Sequence, residues 1–308
     1  MTQLRRGTSG MTHRAMANGG GGTGATRWAA AVLATLALLP RGLAAAEAPT
    51  GRAPPAHGSS SPVARHEAAQ SIPFEKLTPQ GRANVKAVLG NVTIFRRLPT
   101  RTVDCDPELY LFLIRHPDVV VNIWEALKLS QLQLKQVGPD KFRAVEQDGT
   151  TISFEYLYKS HDMHVVYAEG TYTGTLLQRP VKGACLAVVR SGYVRETDGR
   201  YYVTTRMDSF LSVEPGAVEI VAKTLQPIAA KIADSNFTQT IAFLGSLSRT
   251  AEVNPAGVQR LASRLNNVAP EMREQFAIVA GKTAERAAAS APPAAPLAAQ
   301  RAPGPARR

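Results

Sequence analysis

The chain has 308 residues, two cysteines and a net charge of +12, a length that allows one sizeable domain with appendages or two small ones. The charge sits mostly at the ends. Residues 1–46 carry five arginines and no acidic residue, 47–71 are balanced, and 282–308 hold five basic residues against one acidic, so 72–281 keep only +3. A nucleic-acid binder concentrates its basic residues on the folded domain, so no nucleic-acid partner is expected.

Residues 1–46 read as a signal peptide. Arg5, Arg6, Arg14 and Arg27 precede the apolar segment Trp28–Leu39, and Ala44-Ala45-Ala46 offers a small-residue cleavage site before Glu47. The apolar segment is too short to span a bilayer, which takes about 20 residues, so the mature chain is expected to be secreted or periplasmic with no transmembrane segment. Residues 47–71 are rich in Ala, Pro, Gly and Ser and read as a disordered linker. The domain proper is expected over 72–251, a helical extension over 252–286, and a disordered Ala/Pro-rich basic tail over 287–308.

Within the domain, Phe74–Leu89 reads as a short helix and Asn91–Leu98 as a strand. Asp106-Pro107 opens a helix through Arg115, His116-Pro117-Asp118 breaks it, and a second helix follows over Val119–Leu129. Six strand-like runs come next: 131–137, 141–147, 151–158, 163–171, 184–195 and 201–213. Turn signals separate them, namely Gly138-Pro139-Asp140, Asp148-Gly149, His161-Asp162 and Asp198-Gly199. In Thr151–Tyr158 the even positions are large and apolar or amphipathic, the period-two pattern of a strand with one buried face. Treating Asp198-Gly199 as a two-residue turn sets Val194 opposite Val203 and Arg190 opposite Met207. Pro215–Ala233 is the expected covering helix, with Val218, Val221, Leu225, Ile228 and Ile232 on one face and a kink or stop at Pro227. Asn254-Pro255 and Pro270 start two more helices.

This order, a fold of class α+β in which an antiparallel meander sheet grips a long C-terminal helix, resembles the helix-grip fold of the START-like superfamily of polyketide cyclases and lipid carriers. The piece His116-Pro-Asp-Val-Val-Val-Asn-Ile-Trp-Glu-Ala-Leu127 resembles an early helix of that group. The resemblance covers about 91–250 and implies a lipid-like or other apolar small-molecule partner. The chain with its Ala/Pro-rich tail also resembles secreted proteins of planctomycete-type bacteria.

Few residues suggest chemistry. No nucleophile–base pair, metal-ligand pattern or phosphate loop is present, so no cofactor and no metal is expected, and catalysis is not the leading reading. His161-x-x-His164 flanks a strand turn and reads as polar turn residues. Cys105 and Cys185 form a disulfide candidate that would contribute ~4 kcal/mol on a loop-entropy basis; the alternative is a buried Cys185 and a free loop thiol at Cys105. Arg190, on the face expected to meet the helix, would need a carboxylate or an anionic head group. Tyr156 and Tyr158 share that face, and Trp124, Met207 and Leu225 are the expected apolar lining of a sheet–helix cavity of several hundred Å³. Three functions follow in order: a non-enzymatic binder of a small apolar or amphipathic ligand, a cell-envelope interaction module docking through 252–308, and a cyclase- or hydrolase-like enzyme.

Overall fold

The computed structural model describes residues 57–146, 150–172, 180–197, 199–218 and 226–290. The expected signal peptide, most of the linker, the tail beyond 290, Asp148-Gly149, Asp198, Val221 and Leu225 lie outside them.

Prolines and side-chain caps set the helix starts. Helices α1 (Pro62–Gln70), α2 (Pro79–Gly90), α3 (Pro107–Arg115) and α4 (Pro117–Ala126) each begin on a proline. Proline suits the first turn, where no backbone N–H partner is needed. Ser61, Thr78 and Asp106 accept hydrogen bonds from N–H groups of the first turns of α1, α2 and α3. After the sheet come α5 (Gln226–Val253), α6 (Pro255–Ala262) and α7 (Pro270–Ser290). Pro227 is the second residue of α5 as described, and residues 219–225 just before it lie outside the described ones.

The sheet has strands β1 (Ile94–Arg97), β2 (Arg101–Asp104), β3 (Gln133–Gly138), β4 (Lys141–Val145), β5 (Thr151–Lys159), β6 (Met163–Tyr172), β7 (Val181–Arg195) and β8 (Tyr201–Val213). Its order is β1-β8-β7-β6-β5-β4-β3, and every pairing is antiparallel. β1 and β2 lie end to end along β8, against its residues 208–211 and 202–205. This is the expected α+β meander, consistent with a helix-grip arrangement.

Both faces of β6–β8 are buried, not one. On the inner face, Val166, Val189, Val203, Met207 and Leu211 join Leu109, Ile123 and Trp124 of α3–α4 and Phe237, Ile241 and Leu244 of α5. On the outer face, Val165, Leu186, Val188 and Phe210 meet Ala64 and Ala68 of α1 and Val85 and Val88 of α2. Helix α1 thus occupies part of the expected linker. Residues 252–286 are not peripheral either: Val258, Ala262, Leu265, Phe276 and Ala280 are buried in the same core as the inner sheet face, and α7 runs on to Ser290. Gly245 lets α5 approach β2, since a Cβ there would lie 3.0 Å from the Val103 Cβ.

The β7–β8 register differs from the expectation by one residue. Arg195 pairs with Tyr201 and the Glu196 N–H bonds the Arg200 carbonyl, so the loop holds three residues between that last pair, with Gly199 at φ +83°. A three-residue loop closing on a left-handed glycine is a standard alternative to the two-residue turn. One extra loop residue moves the facing side chains to the opposite side of the sheet: Val189 faces Met207, and Arg190 faces Arg206.

Cys105 and Cys185 are both free and buried. The Cys105 N–H bonds the Tyr201 carbonyl at the start of β8, whereas Cys185 pairs with Leu211, ten residues along that strand. At about 3.3 Å per residue the separation is far beyond disulfide reach.

Candidate functional site

Between the inner sheet face, α3–α4 and α5 lies an apolar cavity of about 60 Å³. Leu113, Ile114, Pro117, Val120, Val121 and Trp124 wall it on one side, Val189 and Met207 on the sheet, and Phe237, Ile241 and Leu244 on α5. Ligand pockets ordinarily span roughly 300–1,000 Å³, so the expected several hundred Å³ are largely filled by side chains.

Three polar features border this space. The Trp124 indole Nε1 is buried with no acceptor among the described residues. The Tyr110 hydroxyl bridges Ser191 Oγ and Thr205 Oγ1, both at 2.8 Å, and Thr205 reaches the cavity wall. The Tyr156 hydroxyl donates to the Ile114 carbonyl at 2.5 Å, which fixes its ring beside Phe142 and His164. Burial pushes the Tyr110 and Tyr156 hydroxyls well above their ordinary pKa, so both stay protonated donors.

Of the six ligand-site residues expected from sequence, Trp124, Met207 and Tyr156 meet at this cavity. Tyr158 does not. A bulge between Tyr156 and Tyr158 shifts the β5–β6 register, and Tyr158 packs on the outer face, where its hydroxyl accepts from Lys76 Nζ at 3.4 Å. Arg190 also stands on the outer face, for the register reason above. Leu225 lies outside the described residues.

The sequence reading missed Tyr110 and Thr205, whose hydroxyls meet only because β7, β8 and α3 converge. It also read His164, at the start of the strand run 163–171, as a polar residue flanking a turn, whereas the residue is fully buried on the inner face of β6. Arg115 Nε donates to His164 Nε2 at 3.4 Å, while Nδ1 has no partner among the described residues. Burial, and then the Arg115 charge, hold the His164 pKa down to about 4 against an ordinary 6.5. The unfolded chain therefore takes up this proton first as pH falls. The contribution, on the order of 3 kcal/mol, is fully present above about pH 6.5 and is lost progressively down to about pH 4. Urea midpoints between pH 7 and pH 4.5 should fall less steeply in His164→Gln than in the wild type; equal slopes would remove His164 from the account.

Neither thiol is activated. Burial raises both, Cys185 to about 11, which leaves no thiolate near neutrality. No group of three or more metal-ligating side chains is assembled among the described residues.

A second, larger cavity of about 270 Å³ opens between the β7–β8 hairpin and the C-terminal ends of α5 and α7. Its charges are already paired. Arg286 makes two 2.7 Å bonds to the Asp106 carboxylate that also caps α3, Arg249 bonds Glu252 at 2.6 Å, and Arg200 pairs with Asp104. The cleft reads as the clamp that seats α7 on the core.

No protein-family model matches the chain, and no curated protein matches it. Among solved structures, a conserved protein from Geobacillus kaustophilus is 16% identical with a TM-score of 0.35, over 48% of this chain and 93% of that one. A protein from Rhizobium leguminosarum is 14% identical with a TM-score of 0.26, over 47% and 94%. Ara h 8.0201 is 15% identical with a TM-score of 0.25, over 48% and 97%. At these scores the likenesses carry no argument about function, and none bears on a planctomycete-type origin. No helix among the described residues is long and apolar enough to cross a membrane.

Proposed function

We propose that this is a START-like helix-grip domain that holds a small apolar or amphipathic molecule between sheet and α5 without transforming it. The observation that carries the reading is the apolar cavity enclosed between the inner sheet face, α3–α4 and α5. Engineered cavities of about 150 Å³ admit benzene, which puts a cavity of about 60 Å³ below that size. Binding is therefore coupled to an outward shift of the α5 side chains Phe237, Ile241 and Leu244. The export signal read in residues 1–46 supports a secreted or periplasmic setting for this binder.

The envelope-module alternative drew on the apolar stripes of 252–286, and those side chains are spent in the core. The enzyme alternative draws no support from the two thiols, which burial holds away from the thiolate form.

The chain has two tryptophans, Trp28 and Trp124, so full-length Trp28→Phe reports the cavity alone. Titration with octanoate or 1-octanol should give a saturable change in Trp124 emission, and Val189→Phe, which fills the cavity, should remove it. A flat titration up to the solubility limit of both probes would sink the proposal.

A further inference from the structure

On the outer face of the sheet, away from the cavity, Arg190 of β7 stands directly opposite Arg206 of β8. Like charges in that position repel, so an unrelieved pair destabilises the sheet. Both side chains are half-buried, and the Nε of each is sealed from solvent without a hydrogen-bond acceptor. Among the described residues, neither guanidinium makes any hydrogen bond to the protein.

The surrounding carboxylates are already engaged. Asp208, fully buried, takes Arg97 Nε at 2.6 Å and Nη2 at 3.4 Å, and lies 3.8 Å from Arg206 Nε. Glu67 of α1 takes Arg97 Nη1 at 2.8 Å, and Asp162 accepts from Ser160 Oγ at 2.6 Å. Burial lowers the Arg190 pKa, and the Arg206 charge presses the same way. Two guanidinium groups carried by directly opposed residues, with unused terminal N–H donors, suit a tetrahedral oxyanion in charge and in donor type.

We propose that Arg190 and Arg206 bind a phosphate-class oxyanion on the outer face of the sheet, at a site separate from the apolar cavity. The phosphate belongs either to a free anion or to a lipid head group. Arg97 stays committed to Asp208 and sets the third positive edge of the site.

The test uses the full chain. Thermal unfolding is titrated with inorganic phosphate, with chloride replaced so that ionic strength stays constant, in the wild type and in Arg190→Gln and Arg206→Gln. Each substitution removes a like-charge opposition, so folding is not at risk. The wild-type Tm should rise saturably, and each variant should show a roughly tenfold or greater loss of apparent phosphate affinity. In parallel, the three proteins are sedimented with phosphatidylglycerol or phosphatidylcholine vesicles. Capture on phosphatidylglycerol that needs both arginines, without a response to free phosphate, assigns the phosphate to a head group. Phosphate and vesicle responses that are the same in all three proteins would overturn the proposal.

Discussion

Phe276→Ala is expected to lower the unfolding free energy by about 3–5 kcal/mol, the usual cost of emptying a fully buried phenylalanine site. Phe276 is fully buried on α7, with Phe112 of α3 stacked at 6.3 Å. It lies in one continuous core with the sheet and α5. The loss should therefore appear in a single cooperative transition, with far-UV circular dichroism and Trp124 emission of the Trp28→Phe background moving together. Were α6 and α7 an appendage, the variant would melt them in an early step and leave the Trp124 transition where it was. By the same argument, removing 252–308 strips the core of Leu265 and Phe276 and should abolish the cooperative transition.

Asp208→Ala should be of similar size, about 3–5 kcal/mol, for an electrostatic reason. Asp208 is fully buried, and its carboxylate is the counter-charge for Arg97 and, more distantly, Arg206. Removing it leaves Arg97 with only the exposed Glu67 and takes away the carboxylate nearest Arg206. Desolvated charges without a partner cost more than the pair itself contributes, so the double variant Arg97→Leu/Asp208→Leu should recover much of the loss. Urea midpoints of the two single variants and the double variant measure this. A double variant as unstable as the sum of the singles would show that the pair is not coupled.

Much of the architecture was legible because local signals and tertiary context agreed. Asp106-Pro107 and His116-Pro117 mark the starts of α3 and α4, and the alternation of Thr151–Tyr158 and Tyr201–Val213 marks β5 and β8. The errors came where one residue decides a face. The loop after Arg195 and the bulge beside Tyr156 each change a register, and neither leaves a composition signal. Arg190 and Tyr158 moved to the outer face for that reason. Helix α1 carries a legible start, Ser61-Pro62, inside a segment whose Ala/Pro/Gly/Ser content argued for a linker. Its stability comes from Ala64 and Ala68 packing on the sheet, which local composition does not report. The cavity's residues were partly legible, Trp124 and Met207 among them, but its volume depends on how Phe237 and Leu244 fill it.

Native mass spectrometry of the chain as recovered from an exporting host, followed by denaturing extraction, tests the ligand-binding claim most directly. The account predicts a reproducible extra mass that disappears on denaturation and is absent from Val189→Phe. A clean unliganded mass for the wild type, together with an unchanged Trp124 emission in the presence of octanoate, would contradict it.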